Sequence, residues 1–304
     1  ICKNITVQLD NSGNVSIAAG DVNNGSNDAC GIKSISIDKS SFDCSNVGGN
    51  TVTLTVTDNN DNVSTCTSTV TVQDNVNPNA ICKNITVQLD NSGNVSIAAG
   101  DVNNGSNDAC GIKSLAIDKS SFDCSNVGGN TVILAVTDNN DNVSTCTSTV
   151  TVQDNVKPTA ICQNVTVTLS GGSGSVTASQ VDNGSNDACG IKSLSVSPST
   201  FNCSNIGANT VTLTVTDNNN NVSTCDATVT VEGTIPTCSI GVTPSNNTNT
   251  GGIATNIYLG YGPQSATMTA NANGGSGFTY SWSPATYLSA TNVQSPVFTP
   301  TAEG

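Results

Sequence analysis

The sequence predicts an all-β chain: tandem immunoglobulin-like β-sandwich repeats forming an elongated rod. Three observations predict it. The chain repeats itself with a period near 80 residues, apolar side chains alternate with threonine and serine at period two, and each repeat carries four cysteines at matching positions.

Residues 1–80 and 81–160 differ at only six positions, and 161 to about 237 form a diverged third copy. The cysteines fall at 2, 30, 44 and 66, then 82, 110, 124 and 146, then 162, 189, 203 and 225. An even set of four in each unit is a disulfide framework and implies an oxidising compartment. A tetra-cysteine zinc site is the weaker reading, because no Cys-x-x-Cys pair occurs. Four cysteines leave three connectivities open.

Within the first copy, Ile5, Val7 and Leu9 alternate with Thr6 and Gln8, and Asp10–Gly13 turns the chain into Val15 and Ile17. An acidic, amide-rich loop, Asp21–Gly31, follows, and it recurs as Asp101–Gly111 and, shorter, as Val181–Gly190. Lys33–Asp38 then places Ile35 and Ile37 on one face. Thr51–Thr57 alternates strictly, with Val52, Leu54 and Val56 inward. Asp58–Asn62 turns into a last strand in which Cys66, Ser68, Val70 and Val72 share a face. Six or seven short strands with no helical period make a small sandwich of immunoglobulin type.

Composition narrows the chemistry. The chain has 8 Lys and no Arg, 22 acidic residues, no His, and a net charge of −14. Such a surface repels nucleic acid and anionic lipid and favours cations. Without His, many acid–base mechanisms and most transition-metal sites are removed, so the sequence is read as a non-enzyme with no catalytic residues. No apolar run approaches the ~20 residues of a membrane helix, so no membrane insertion is expected. The chain begins at Ile1 in mid-pattern and reads as a piece of a longer, processed, secreted protein.

The run Val56-Thr-Asp-Asn-Asn-Asp-Asn-Val-Ser-Thr-Cys66 with Val70-Thr-Val72, preceded upstream by Ile1-Cys2, resembles the hyalin-repeat family of immunoglobulin-like extracellular modules. It is similar above all to the many-copy versions in giant surface adhesins of gliding, type IX-secreting bacteria. The resemblance covers about three quarters of the chain. It implies that the first and last cysteines of each repeat pair: Cys2–Cys66 with Cys30–Cys44, Cys82–Cys146 with Cys110–Cys124, and Cys162–Cys225 with Cys189–Cys203. Loops of 14 and 64 residues closed in this way would contribute about 3 and about 4 kcal/mol. Both bonds are expected near one end of each sandwich.

The domain boundaries follow: repeats at 1–77, 78–157 and 158–235, and a different module at 236–304. That last module holds all four tyrosines (258, 261, 280 and 287), Trp282 and the run Gly274–Pro284. It is similar to PKD-like β-sandwich modules and lacks its last strands. Trp282 and Phe278 are expected in its core, the alternative being a sugar-binding platform. The thirteenth cysteine, Cys238, stands where a module's first cysteine would, with a partner on the missing strands or in another molecule.

Strand order places the loops. If the first strand rises from Cys2, both the Asp21–Cys30 loop and Asp58–Asn62 lie at the lower end, and the chain leaves at the upper end through Gln73–Pro78. In tandem, Asp74 and Asn75 should approach Asp101, Asn103, Asp108, Asp138 and Asp141. Asp154 and Asn155 should likewise approach Asp182, Asp187 and Asp217. Carboxylates and amide oxygens without thiolate or imidazole suit a hard cation with 6–8 oxygen ligands, and calcium tolerates such irregular loops better than magnesium. The physical analogy is the cadherin junction. In the first repeat the equivalent residues, Asp21, Asn23, Asp28, Asp58 and Asp61, should form the weakest site unless a missing segment or another molecule caps them. The plainer reading is that Asp, Asn and Gly are turn formers.

Three of the six differences between the first two repeats, Ala116, Ile133 and Ala135, lie on an outward face and suggest a lateral apolar contact, with neutral drift as the alternative. The expected function is an extracellular structural or adhesive rod, calcium-stiffened and disulfide-stapled, serving as a surface stalk or a matrix filament such as a biofilm matrix. Its expected partners are calcium ions, copies of itself or neighbouring modules, and glycans or cell surfaces, and no nucleic acid. The alternative is a glycan- or protein-binding module in which the repeats are spacers.

Overall fold

In a computed structural model the described residues are 1–233, 237–244, 265–273 and 277–299. The chain divides into two compact units, Ile1–Val156 and Lys157–Gly304.

The first unit begins with a sandwich of six strands: β1 (Ile5–Gln8), β2 (Asn14–Ser16), β3 (Ile32–Ile37), β4 (Ser41–Asp43), β5 (Gly48–Asp58) and β6 (Val63–Gln73). One helical turn, α1 (Ala19–Val22), follows β2, and a 3-10 turn, Cys44–Asn46, precedes β5. The four-stranded sheet runs β1-β6-β5-β3, and β2 pairs with β4 across from it. Parallel β1 and β6 meet with Ile5 opposite Val70 and Gln8 opposite Gln73. The β5–β6 hairpin puts Leu54 opposite Cys66.

Period-two alternation decides what is inside. Val52, Leu54, Val70 and Val72 of β5 and β6 are buried, and Leu9, Ile17, Val22 and Phe42 close the core from the other side. Ser68 shares the inner face, and its hydroxyl donates to the Lys3 carbonyl at 2.6 Å, so the buried polar atom is satisfied.

The second sandwich repeats this plan with β7 (Ile85–Gln88), β8 (Asn94–Ser96), α2 (Ala99–Val102), β9 (Ile112–Ile117), β10 (Ser121–Asp123), β11 (Gly128–Asp138) and β12 (Val143–Gln153). Its large sheet is β7-β12-β11-β9.

The second unit opens with a third such sandwich: β13 (Val165–Thr168), β14 (Ser173–Ser175), α3 (Ala178–Val181), β15 (Ile191–Ser197), β16 (Thr200–Asn202), β17 (Gly207–Asp217) and β18 (Val222–Glu232). Its order is β13-β18-β17-β15, with β14 on β16. After it, β19 (Thr237–Pro244), β20 (Ala266–Asn273) and β21 (Val297–Phe298) form one three-stranded antiparallel sheet. Trp282 is half-buried and its indole N–H donates to the Val293 carbonyl at 2.8 Å. Phe278 is also half-buried. Tyr258, Tyr261 and Gly274–Ser276 lie outside the described residues.

The register defines two ends. Because β1 and β6 rise together and β5 descends between β6 and β3, the Asp21–Gly31 loop and the Asp58–Asn62 turn are both at the lower end, and Gln73 leaves at the upper end. Cys44, four residues before the start of β5, is therefore at the upper end, whereas Cys30, two residues before β3, is at the lower end.

Cys2–Cys66, Cys82–Cys146 and Cys162–Cys225 are bonded within their sandwiches. The expected Cys30–Cys44 bond does not form. The eleven residues of β5 hold the two ends about 35 Å apart, against the roughly 6 Å that a disulfide spans. Cys44 instead pairs with Cys110 of the next sandwich, with Cα atoms 5.2 Å apart. This also corrects the expected Cys110–Cys124 pair and the placing of both bonds at one end. Cys189–Cys203 is corrected too, because Cys203 is a free thiol, as are Cys30 and Cys238. Cys124 and Cys189 are disulfide-bonded.

Candidate functional site

The site with the most unusual chemistry lies between the first two sandwiches, inside the first unit. The chain leaves β6 at Gln73, and Asn79 then pairs with Asn107 of the next sandwich through two backbone hydrogen bonds of 2.8 and 3.1 Å. Cys82 bridges Asn103 in the same antiparallel sense. The acidic loop Asp101–Gly111 is thereby laced to its own entry strand and held against the upper end of the first sandwich.

The disulfide completes the junction. Cys44 Sγ packs on the Asp10–Gly13 turn, 3.7 Å from the Gly13 carbonyl. Gly13 has φ +74, and a Cβ there would meet Cys44 Sγ at 2.6 Å and the Ala109 Cβ at 3.2 Å. Only glycine fits both that backbone and that gap. The sequence marks Gly13 as a turn residue; its second role, as the seat of the staple, is invisible until the upper and lower ends are brought together.

Beside the staple, Asp74 and Asp108 converge. One carboxylate oxygen of each, with the Cys110 sulfur, lies within 4.8 Å of the others. That sulfur is in a disulfide, so it is no thiolate ligand. Asp74 is only 6% exposed, and its Oδ1 accepts the Val76 N–H at 3.0 Å. Its Oδ2 is buried with no hydrogen-bond partner. An ionised oxygen kept from water without a donor is costly, and a like charge beside it adds to the cost. Asp108 Oδ1 accepts the Cys110 N–H at 2.7 Å, so the bonded cysteine itself positions the second carboxylate. Asn142 donates from Nδ2 to the Asp74 carbonyl at 3.1 Å, bringing the β11–β12 turn onto the linker as strand order placed it.

The other expected ligands are occupied elsewhere. Asp101 Oδ2 accepts the Ala98 N–H at 2.8 Å and caps α2. Asn103 Oδ1 accepts the Ser106 N–H at 3.0 Å and shapes the loop. Asp138 is fully buried; its Oδ1 takes the N–H groups of Asn140 and Asn142, and its Oδ2 takes the Asn142 amide. Asp141 pairs with Lys113, and Asn75 donates to Gln88's counterpart, Gln8, at 2.7 Å. In the first sandwich, Asp21 caps α1 through Ala18, Asn23 and Asp28 accept from Ser26 and Cys30, Asp58 holds its turn and Asp61 pairs with Lys33. Hydrogen bonds from the Asn62 amide and backbone hold the Asp58 carboxyl below its ordinary value.

Asp154 is buried like Asp74 and accepts from Val156 at 3.0 Å, and Asn155 donates to Gln88. In the second unit, Asp187 accepts the Cys189 N–H, and Asp217 is a buried turn hub like Asp138. Asp182 is pushed up by burial, but hydrogen bonds from Ser185 and Gly184 outweigh this and leave its carboxyl below the ordinary value. The turn-former reading thus accounts for most of the acidic residues, and within the first unit Asp74 with Asp108 is what remains for a ligand.

The outward residues of the second sandwich lie as alternation placed them. Ala116 faces Ala135 across β9 and β11, and Ile133 on the same face is 42% exposed.

The chain matches no family model, and no curated protein matches it. Among solved structures it is similar to tandem immunoglobulin-like and cadherin-like repeats. Protocadherin gamma B7 cadherin domains 1–4 align over 100% of this chain and 92% of that one, at 11% identity and a TM-score of 0.34. The titin I-band fragment I67–I69 aligns over 76% and 97%, at 9% identity and 0.32. Mouse clustered PcdhgC3 EC1-3 aligns over 63% and 82%, at 12% identity and 0.28. At these scores none carries a functional argument. The chain is a tandem array of β-sandwich repeats, and its disulfides belong to an oxidising compartment.

Proposed function

We propose that this chain is an extracellular structural or adhesive repeat protein, a stalk or matrix filament whose consecutive sandwiches are locked by disulfides and stiffened by calcium. The observation that carries the reading is the Cys44–Cys110 bond, which ties one repeat to the next and leaves the Asp74–Asp108 pair beside it. Nothing within a single sandwich requires that bond; its effect is to fix the angle between neighbours, which is what a load-bearing repeat array needs and a catalytic pocket does not.

Calcium supplies the missing partner of Asp74 Oδ2. Two carboxylates and no thiolate or imidazole favour a hard, oxygen-seeking ion, with water completing its shell. Bound there, the ion would neutralise two like charges and restrain the linker. The repeat boundaries at about 77, 157 and 235 then separate the structural units of the array. Ala116, Ile133 and Ala135 form the face through which second-repeat sandwiches would touch other copies.

Thermal unfolding of the intact chain in EDTA, in calcium and in magnesium tests this. The midpoint should rise with calcium and less with magnesium. Identical midpoints would remove calcium from the reading.

A further inference from the structure

The set of donors at the first junction depends on one covalent bond. Asp74, Asp108 and Cys110 each bring one donor atom to a spot where all three lie within 4.8 Å of one another. In the oxidised chain the Cys110 sulfur is bonded to Cys44, so only the two carboxylates can hold a cation. Breaking that bond turns the sulfur into a third ligand.

The three groups are held in place by contacts that do not pass through the disulfide. Asp108 and Cys110 share one loop, where the Cys110 N–H donates to Asp108 Oδ1 at 2.7 Å and the Gly111 N–H donates to the Asp108 carbonyl at 3.3 Å. Asn139 ties that loop to the β11–β12 turn, donating from Nδ2 to the Cys110 carbonyl at 2.7 Å. Asp74 lies on the linker, which the Asn79–Asn107 backbone pair and the Asn142 amide hold against the same loop and turn. Cys44, by contrast, is seated on the Asp10–Gly13 turn of the first sandwich, so the hydrogen bonds that place the other three survive its release. A second sign of a ligand is independent of the clustering. Asp74 is 6% exposed and its Oδ2 has no hydrogen-bond partner, a cost that a bound cation removes.

We propose that the reduced junction is a binding site for a thiophilic divalent cation of the zinc class, held by the Cys110 thiolate and the Asp74 and Asp108 carboxylates, with water in the fourth position. Zinc takes sulfur at about 2.3 Å and carboxylate oxygen at about 2.1 Å, which sets its ligand atoms roughly 3.5 Å apart, so the three donors need close by only about 1 Å. Calcium takes oxygen and gains nothing from a thiolate, so the same place passes from a hard-cation site to a softer one as the disulfide opens. The reductant is a dithiol. Its first thiolate attacks the Cys44–Cys110 bond to give a mixed disulfide, and its second displaces the remaining protein thiolate. The dithiol closes into its own disulfide, and its two protons end on Cys44 and Cys110. The cation then displaces the Cys110 proton to solvent. This rests on the reading of Asp74 and Asp108 as ligands, and not on calcium being the ion they hold in the oxidised chain.

The test uses the full chain with Cys30→Ser, Cys203→Ser and Cys238→Ser, which removes the competing free thiols. Adding Cys44→Ser leaves Cys110 as a thiol without any reductant. Titrated with cobalt(II) in place of zinc, this chain should show thiolate-to-metal charge-transfer absorption that saturates at a single equivalent and is bleached by zinc. Adding Cys110→Ser should remove the band. Asp74→Asn or Asp108→Asn should weaken cobalt binding by about tenfold or more, since losing a ligand costs at least as much as losing a group that only orients one. With Cys44 retained, the band should appear only after limited phosphine reduction that leaves Cys2–Cys66 and Cys82–Cys146 intact on peptide mapping, a readout that does not depend on how Cys44→Ser folds. No band in either chain, or a band that survives Cys110→Ser or is indifferent to both carboxylate variants, would overturn the proposal. Calcium stabilisation is read by melting the oxidised chain, so its loss and the loss of the cobalt band are separate results.

Discussion

Cys44 and Cys110 are 66 residues apart in sequence and bonded across the boundary between two sandwiches. Either cysteine alone looks like half of a local loop. Together they turn two neighbouring folds into one cross-linked body.

Removing this bond should cost the first unit stability. By the chain-entropy estimate a closed loop of this length contributes about 4 kcal/mol. A Cys44→Ser/Cys110→Ser chain should unfold at lower denaturant than the parent, with Cys2–Cys66 and Cys82–Cys146 intact on peptide mapping. An unchanged midpoint would show that the sandwiches do not depend on being tied.

Gly13 should be needed for the bond to form. A valine there has both the wrong backbone preference and a side chain in the space of Cys44 Sγ and Ala109. Thiol labelling of unfolded Gly13→Val chain should recover Cys44 and Cys110 as reactive thiols. Full protection of both would contradict this.

Asp74 and Asp101 should separate ligand from cap. Asp101→Ala removes the side-chain acceptor that caps α2 and should lower stability by about 1 kcal/mol whether or not calcium is present. Asp74→Asn should instead abolish the calcium-dependent part of the melting midpoint and leave the EDTA value close to the parent's. If both variants respond to calcium like the parent, the ion does not bind at this junction.

Acid should weaken two of the three upper-end caps. The Ser45 hydroxyl and N–H hold the Asp43 carboxyl below its ordinary value of 3.8, and Ser125 does the same for Asp123. A depressed folded value means that the cap's contribution is full above about pH 4 and is lost as pH falls through the folded value. In the third sandwich Asn202 accepts the same two bonds and cannot titrate. The amide resonances of Ser45 and Ser125 should therefore shift on acidification while that of Ser204 stays put. Equal movement of all three would refute the assignment.

Ile133→Thr restores the first repeat's residue on the exposed face of the second. If Ala116, Ile133 and Ala135 make a lateral contact, light scattering should show weaker association of the intact chain. Unchanged scattering would favour neutral drift.

Much of the fold was legible because sandwiches are specified by short-range alternation. Val52, Leu54, Val70 and Val72 are buried where the period-two pattern put them, and the register of β5 on β6 follows from the hairpin. The cysteines were harder. The resemblance leads to Cys30–Cys44 at the lower end of each sandwich, whereas the strand register puts Cys30 and Cys44 at opposite ends, a consequence missed when the pairing is read from the family. The acidic loops were over-read for a related reason: a carboxylate that caps α2, as Asp101 does, and one that is buried without a donor, as Asp74 is, look alike in sequence. What distinguishes them is the set of N–H groups nearby, and that is a property of the folded loop.

The Cys2–Cys66 bond also decides how the array answers tension. Force applied along the backbone enters a repeat at Cys2, crosses through sulfur to Cys66 over a Cα separation of 5.9 Å, and leaves through β6. Residues 3–65, nearly the whole sandwich, lie outside that route. Even with every hydrogen bond broken, the only slack before the next crossing is the stretch from Cys66 to Cys82, about 55 Å when fully extended, whereas an unbonded repeat of this size would release about 280 Å. From Cys2 to Cys225 the oxidised chain is therefore a nearly inextensible tether, and reduction would convert it into a long elastic one.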